Sequence, residues 1–187
     1  RNIGIGSSAG FNNTNGYSNH FIGYQSAFNN TTGYSNIAIG THALASNQTY
    51  HNIIAIGDSA MFSTTGGSSN GDSYSIAIGY KSLYSNTDGY NNTALGYTSM
   101  EKNISGGSNT AVGRAAMRSN ENGSSNTGLG SNAMLNNVSG SLNTVVGSSA
   151  LHQNTTGSRN VAIGASAALG LALFLPLAAC LNVVLAA

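Results

Sequence analysis

The sequence predicts an all-β protein, a parallel β-solenoid of ten rungs of about 17 residues each, followed by an apolar tail. Three observations predict it. A short block ending in glycine recurs along the chain, reading NIGIG at 2–6, NHFIG at 19–23, NIAIG at 36–40, NTALG at 92–96, NTAVG at 109–113 and NVAIG at 160–164. Its closing glycines are Gly6, Gly23, Gly40, Gly57, Gly79, Gly96, Gly113, Gly130, Gly147 and Gly164, spaced 17 residues apart except for the 22 from Gly57 to Gly79. The composition fits no ordinary globular enzyme: only 6% of the 187 residues are charged, against about 25% in typical domains. Glycine takes 25 positions, and asparagine, serine and threonine fill most of the remainder. Low charge and small polar residues also characterise disordered chains. The fixed interval between apolar residues separates this chain from them, because a constant period is the mark of stacked repeats.

Each part of the repeat has a physical reading. In a strand, alternate side chains share a face, so in NIAIG Ile37 and Ile39 point one way and Asn36 and Ala38 the other. β-branched residues favour that setting. The inward stack is expected to contain Ile5, Ile22, Ile39, Ile56, Ile78, Leu95, Val112, Leu129, Val146 and Ile163. Three and four residues after the glycine come a small residue and a larger apolar one, as in Ala60-Met61, Ser82-Leu83, Ala116-Met117, Ala133-Met134 and Ala150-Leu151. These pairs are expected to form a second short strand. An asparagine follows at Asn13, Asn30, Asn47, Asn86, Asn103, Asn120, Asn137 and Asn154. A second glycine comes at Gly16, Gly33, Gly67, Gly89, Gly106, Gly123, Gly140 and Gly157, with Tyr50 the departure. Stretches such as Asn-Thr-Thr-Gly between them are turn material. The glycines supply a positive φ or a close backbone approach.

Two strands of 3–5 residues bury nothing alone, but stacked copies do, because each rung pairs its backbone with the next. At roughly 4.8 Å per rung, ten rungs give a rod about 48 Å long. Helical solenoids need about 33 residues or more per unit, and this density of glycine and asparagine would break their helices. A collagen helix needs glycine at every third position. The extra residues between Gly57 and Gly79, which include Ser68, Ser69, Asn70, Gly71 and Asp72, read as a surface loop, either simply tolerated or in contact with a ligand. Phe11, Tyr17, Phe28, Tyr34, Phe62 and Tyr84 recur beside the core positions and are candidates for an interface between chains.

No catalytic, cofactor or metal constellation is expected. His20, His42, His51 and His152 fall in different rungs without a metal-binding motif, and read as rung residues. Asp58, Asp72 and Asp88 are too few and scattered for a calcium cage. The glycine-rich blocks lack the Gly-Lys-Ser/Thr of a phosphate loop. A net charge of +1 gives no electrostatic case for nucleic acid. Thr93, Thr110, Thr127 and Thr144 share one repeat position, which Ile37, Ile76 and Val161 occupy in other rungs. That exchange favours an inward or interface-facing row over an ice- or glycan-binding one. Asn-x-Ser/Thr triplets at Asn30, Asn47, Asn103, Asn137 and Asn154 are expected in accessible turns, as glycosylation sites wherever the source has that machinery.

The block followed by a small-apolar pair resembles the head repeats of trimeric autotransporter adhesins and similar repeats in phage and viral fibres. Ile37, Ala38, Ile39 and Gly40; Thr93, Ala94, Leu95 and Gly96; and Val161, Ala162, Ile163 and Gly164 carry the resemblance, which covers residues 2–167. It implies a left-handed β-roll, a homotrimer, and a non-enzymatic adhesin or fibre head at a cell or virion surface that binds matrix, glycan or host-surface ligands. The alternative is a purely structural, self-assembling extracellular filament. The 17-residue unit is longer than the family's usual repeat, and the family's stalk and membrane anchor have no counterpart in the sequence. The chain also starts inside a repeat, at Arg1, as a fragment or mature segment would.

The solenoid is expected over 1–167 and a separate tail over 168–187, ALGLALFLPLAACLNVVLAA, which contains Pro176, the lone Cys180 and Asn182. Its length suits one membrane helix, but no cation flanks it to set an orientation. The reading preferred over a membrane contact is a segment that caps or joins solenoids near Val161 and Ile163, without an eleventh regular rung; an artefact of where the fragment was cut is the third alternative.

Overall fold

Short strands recur once per repeat because each block sets strand-favouring residues on either side of a small one. The computed structural model describes residues 1–65, 73–169 and 182–185. Its strands are β1 (Ile3–Ile5), β2 (His20–Ile22), β3 (Ile37–Ile39), β4 (Ile54–Ile56), β5 (Ile76–Ile78), β6 (Thr93–Leu95), β7 (Thr110–Val112), β8 (Thr127–Leu129), β9 (Thr144–Val146), β10 (Asn160–Ile163) and β11 (Asn182–Leu185). They form one parallel sheet in chain order. Equivalent residues pair: Ile37 with Ile54, Ala38 with Ala55, Ile39 with Ile56. The chain is thus an all-β solenoid with rungs of roughly 17 residues, and each crossover between parallel strands is one turn of the coil.

The faces of the sheet are the reverse of those expected. Ala38, Ala55, Ala77, Ala94 and Ala111 are fully buried. The row from Ile5 through Ile22, Ile39, Ile56, Ile78, Leu95, Val112, Leu129 and Val146 to Ile163 lies on the outer face, with Leu95 42% and Ile163 44% exposed. The reason is the narrow interior. Facing the alanines are the larger members of the small-apolar pairs, Leu44, Met61, Leu83, Met100, Met117, Met134 and Leu151, all buried. An isoleucine on the inner side of the strand would overfill that space. Two of the exceptions compensate in volume. Phe21 replaces alanine where Gly10 and Ala27 replace the large partner, and a Cβ on Gly10 would come within 2.6 Å of the Phe21 ring. Gly128 replaces alanine against Met117, whose Cγ would lie 2.9 Å from an added Cβ.

The small-apolar pairs are not a second strand. Ala43 and Leu44 are adjacent and both buried, whereas adjacent strand residues face opposite ways. The segment is a run of turns in which positive φ alternates, as at Gly40 (132°), His42 (54°) and Leu44 (56°). It still bonds to the next rung: the Leu44 amide donates to the Ala60 carbonyl at 2.9 Å, and the Ser46 amide to the Phe62 carbonyl at 3.1 Å. Left-handed backbone at non-glycine residues costs about 1–2 kcal/mol each, so the stacking sustains a steady local strain.

The two glycines act differently. Gly113 has φ 134°, and a Cβ there would sit 2.6 Å from the carbonyl carbon of Gly130 above it. Gly106 has no such φ; its Cβ would meet Asn103 Oδ1 at 2.7 Å and Asn120 Nδ2 at 2.9 Å. That second crowding identifies an asparagine ladder. Asn30 donates to Asn13 at 2.8 Å and Asn47 to Asn30 at 2.7 Å; Asn103, Asn120, Asn137 and Asn154 each donate to the asparagine one rung below. A parallel ladder begins each block. The backbone amides of Asn19 and Asn36 donate to Asn2 Oδ1 and Asn19 Oδ1, and Asn109, Asn126, Asn143 and Asn160 repeat the arrangement above.

Both ladders break at the long repeat. Thr64 takes the asparagine position of one, and Ile53 and Ser75 those of the other. With no asparagine above it, Asn47 Oδ1 accepts from the amide of its own rung's Tyr50 at 3.1 Å. Tyr50, buried, stands where other rungs have glycine.

An eleventh strand, β11, joins the end of the sheet. In β11, Val183 pairs with Val161 and Leu185 with Ile163. The intervening residues, with Pro176 and Cys180, lie outside the described residues, and no described helix is long and apolar enough to cross a membrane.

Candidate functional site

Two surfaces emerge from the repeat. The first is the outer face of the sheet. Each three-residue strand sends its two end residues outward, so two columns run along the solenoid: Ile37, Ile54, Ile76, Thr93 and Thr110 in one, Ile39, Ile56, Ile78, Leu95 and Val112 in the other. The threonine row Thr93, Thr110, Thr127, Thr144 is therefore outward, which removes the inward alternative. No strand among the described residues carries a Lys, Arg, Asp or Glu. The asparagines beside the row, Asn92, Asn109, Asn126 and Asn143, are buried in the second ladder.

The second surface lies on the turn run after the closing glycine. Positions one, two and five residues past it point outward or line a furrow between columns. Across rungs five to eight these positions hold Tyr80, Tyr97 and Arg114; Lys81, Thr98, Ala115 and Asn132; and Glu101, Arg118 and Leu135, which together line a groove of about 550 Å³. Tyr80 and Tyr97 stack with ring centroids 5.2 Å apart. Lys81 Nζ lies 5.4 Å from the Tyr80 ring and 5.3 Å from the Tyr84 ring, within cation–π range. Hydrogen bonding with the Tyr80 side chain, then that group's charge, holds the Lys81 ammonium above its ordinary value. Arg118 Nε meets Glu101 Oε2 at 2.7 Å. The concentration of charge in this groove was missed in the sequence; Lys81, Arg114 and Arg118 all fall within five residues after a closing glycine, which was the available signal.

The expected interface aromatics stack in columns: Phe11 on Phe28 at 5.4 Å, Tyr17 on Tyr34 at 4.8 Å, Phe62 on Tyr84 at 5.3 Å. The histidines stay apart. His20 is on the outer sheet face, His51 stacks on Tyr34 at 4.0 Å, and His42 Nε2 is 2.9 Å from Gln25 Oε1. His152 is half-buried, its Nδ1 without a hydrogen-bond partner among the described residues. Asp58 accepts from Ser59 Oγ at 2.6 Å, and Asp88 from Thr87 Oγ1 at 3.2 Å. Ser68, Ser69, Asn70, Gly71 and Asp72 of the long repeat lie outside the described residues.

The Asn-x-Ser/Thr expectation is corrected. Asn30, Asn47, Asn103, Asn137 and Asn154 are buried, with their amide nitrogens bonded within the ladder. Turn residues surround them, but their side chains point inward, because only there does the next rung offer a partner. Comparison with known protein families, characterised proteins and solved structures finds no match to this chain.

Proposed function

We propose that the chain is a non-enzymatic adhesin or fibre head domain of a cell or virion surface, working as a homotrimer that displays its remaining faces to matrix, glycan or host-surface ligands. One observation carries this reading: the outer face of the sheet, where a column of Ile, Leu and Val from Ile5 to Ile163 runs beside a second column in which Ile gives way to Thr from Thr93 to Thr144, with no Lys, Arg, Asp or Glu in any described strand. Soluble surfaces rarely leave so long an apolar strip open. Further copies of this chain suit it best, because a partner with the same rung spacing meets each Ile, Leu or Val with its own repeat. A thin core of alanine, leucine and methionine gains stability from such burial. The resemblance to adhesin head repeats points the same way.

The test is the mass of the intact chain by light scattering in dilute, detergent-free buffer. Three chains per particle are expected, and Val112→Asp should dissociate them. A sharp monomer mass for the unmodified chain defeats the reading. An array of matrix proteins and glycans then separates an adhesin, which holds particular ligands, from a structural filament subunit, which holds none.

A further inference from the structure

We infer that the groove bordered by Tyr80, Lys81, Tyr97, Arg114 and Arg118 is a binding site for an acidic saccharide, one whose sugar rings carry carboxylates. The inference deepens the display reading and rests on it for its biological setting.

The first argument is where charge has been placed. The chain has six Lys and Arg residues in all, and three of them, Lys81, Arg114 and Arg118, line this one groove. Glu101 is the groove's carboxylate and is already committed to Arg118 at 2.7 Å. Lys81 and Arg114 form no ion pair among the described residues. The groove therefore presents uncompensated positive charge on a chain that is otherwise almost neutral.

The second argument is that the fold does not need these side chains. The position of Tyr80, Tyr97 and Arg114 is filled by Ser7, Thr41, Ser131 and Ser148 in other rungs. The rungs close equally well with those small residues, since the same backbone bonds form there: the Thr98 amide donates to the Tyr80 carbonyl at 2.9 Å and the Ser149 amide to the Ser131 carbonyl at 2.9 Å. Tyr97 remains 54% exposed.

The third argument is chemical fit. Tyr80, Tyr97 and Arg114 succeed one another in one column, so the groove runs along the solenoid axis and suits a linear chain. Stacking fixes both phenols, and the Tyr80 and Tyr84 rings hold the Lys81 ammonium between them. Aromatic rings take the apolar faces of sugars, while guanidinium binds carboxylate through two parallel hydrogen bonds. Glu101 and Asn132 add an acceptor and an amide for sugar hydroxyls. Nucleic acid would also use stacking and cations, but its affinity depends on neutralising many phosphates. Two unpaired cations beside a carboxylate serve that poorly.

Calorimetric titration of the intact assembly with tetragalacturonate and with 3′-sialyllactose tests the inference, with maltotetraose and an oligo(dT) as controls. At least one acidic probe should bind, and Lys81→Ala and Arg114→Ala should each weaken it about 10-fold, the worth of one charge-assisted contact. Arg114→Lys should retain part of the affinity. Equal binding of maltotetraose, tighter binding of oligo(dT), an unchanged affinity in the double alanine variant, or no acidic probe bound by about 10 mM would each overturn it. All these residues are exposed or half-buried, so circular dichroism should match the unmodified chain. Failure here leaves the trimer mass and array result intact, whereas loss of those would leave a binding groove on a chain of another role.

Discussion

Asn120 stands one rung above Asn103, and its Nδ2 donates at 2.9 Å both to Asn103 Oδ1 and to the carbonyl of Gly123 in its own rung. Its Oδ1 in turn accepts from Asn137 Nδ2 at 2.7 Å. One buried side chain thus closes a turn and ties three rungs together. Asn120→Ala should leave Asn103 Oδ1 without a donor in the interior, at a cost of about 2–4 kcal/mol. Urea unfolding of that variant against Asn122→Ala, on the same turn at the surface, measures it; equal midpoints would show that the ladder contributes nothing.

Ala111 and Val112 are adjacent and face opposite ways. Ala111→Leu should overfill the core, losing about 1–3 kcal/mol with the assembly's symmetry unaffected where it still folds. Val112→Asp should do the reverse, keeping the circular dichroism spectrum while the particle mass falls to one chain. A Val112→Asp chain that unfolds outright would mean that this row is interior after all.

Backbone conformation gives a paired prediction of opposite sign. Gly113→Ala combines φ 134° with a Cβ 2.6 Å from the carbonyl carbon of Gly130, and should cost at least about 3 kcal/mol. Leu142 is at φ 61° and exposed, where Asn52 and Asn91 stand in other rungs. Leu142→Asn should stabilise by about 0.5–1 kcal/mol, since asparagine tolerates the left-handed region better. Thermal melts of the two variants suffice, and a Leu142→Asn chain that melts lower would show that the Leu142 side chain packs against a partner.

Native protein offered to an oligosaccharyltransferase should remain unmodified at Asn103, Asn137 and Asn154, while the urea-unfolded chain is an acceptor. The amide nitrogen that would carry the glycan is bonded inside the ladder. Mass spectrometry of both forms gives the answer, and glycan on the folded chain at those residues would contradict their burial.

Of the groove, the sequence offers only the residue types. Lys81 and Arg114 are 33 positions apart in the chain, and reading them as neighbours requires knowing that one rung stacks directly on the next and that the turn run aims both outward. The asparagines misled for a related reason. Near Thr-Thr-Gly, a local reading makes Asn30 an exposed turn residue, because its partner is not local. Asn13 and Asn47 lie one rung away on either side.

The sequence by itself determined the period, the parallel in-register stacking, the strand in each block that ends in glycine and the place where the repeat is interrupted, because these follow from spacing alone. Alternation along NIAIG establishes that Ile39 and Ala38 occupy opposite faces, yet it is symmetric as to which face is inside. The tertiary structure decided that. The alternating positive φ of the turn run turns two adjacent side chains, such as Ala43 and Leu44, into the interior together. What space remains admits an alanine from the strand, and the isoleucine is left on the outer face.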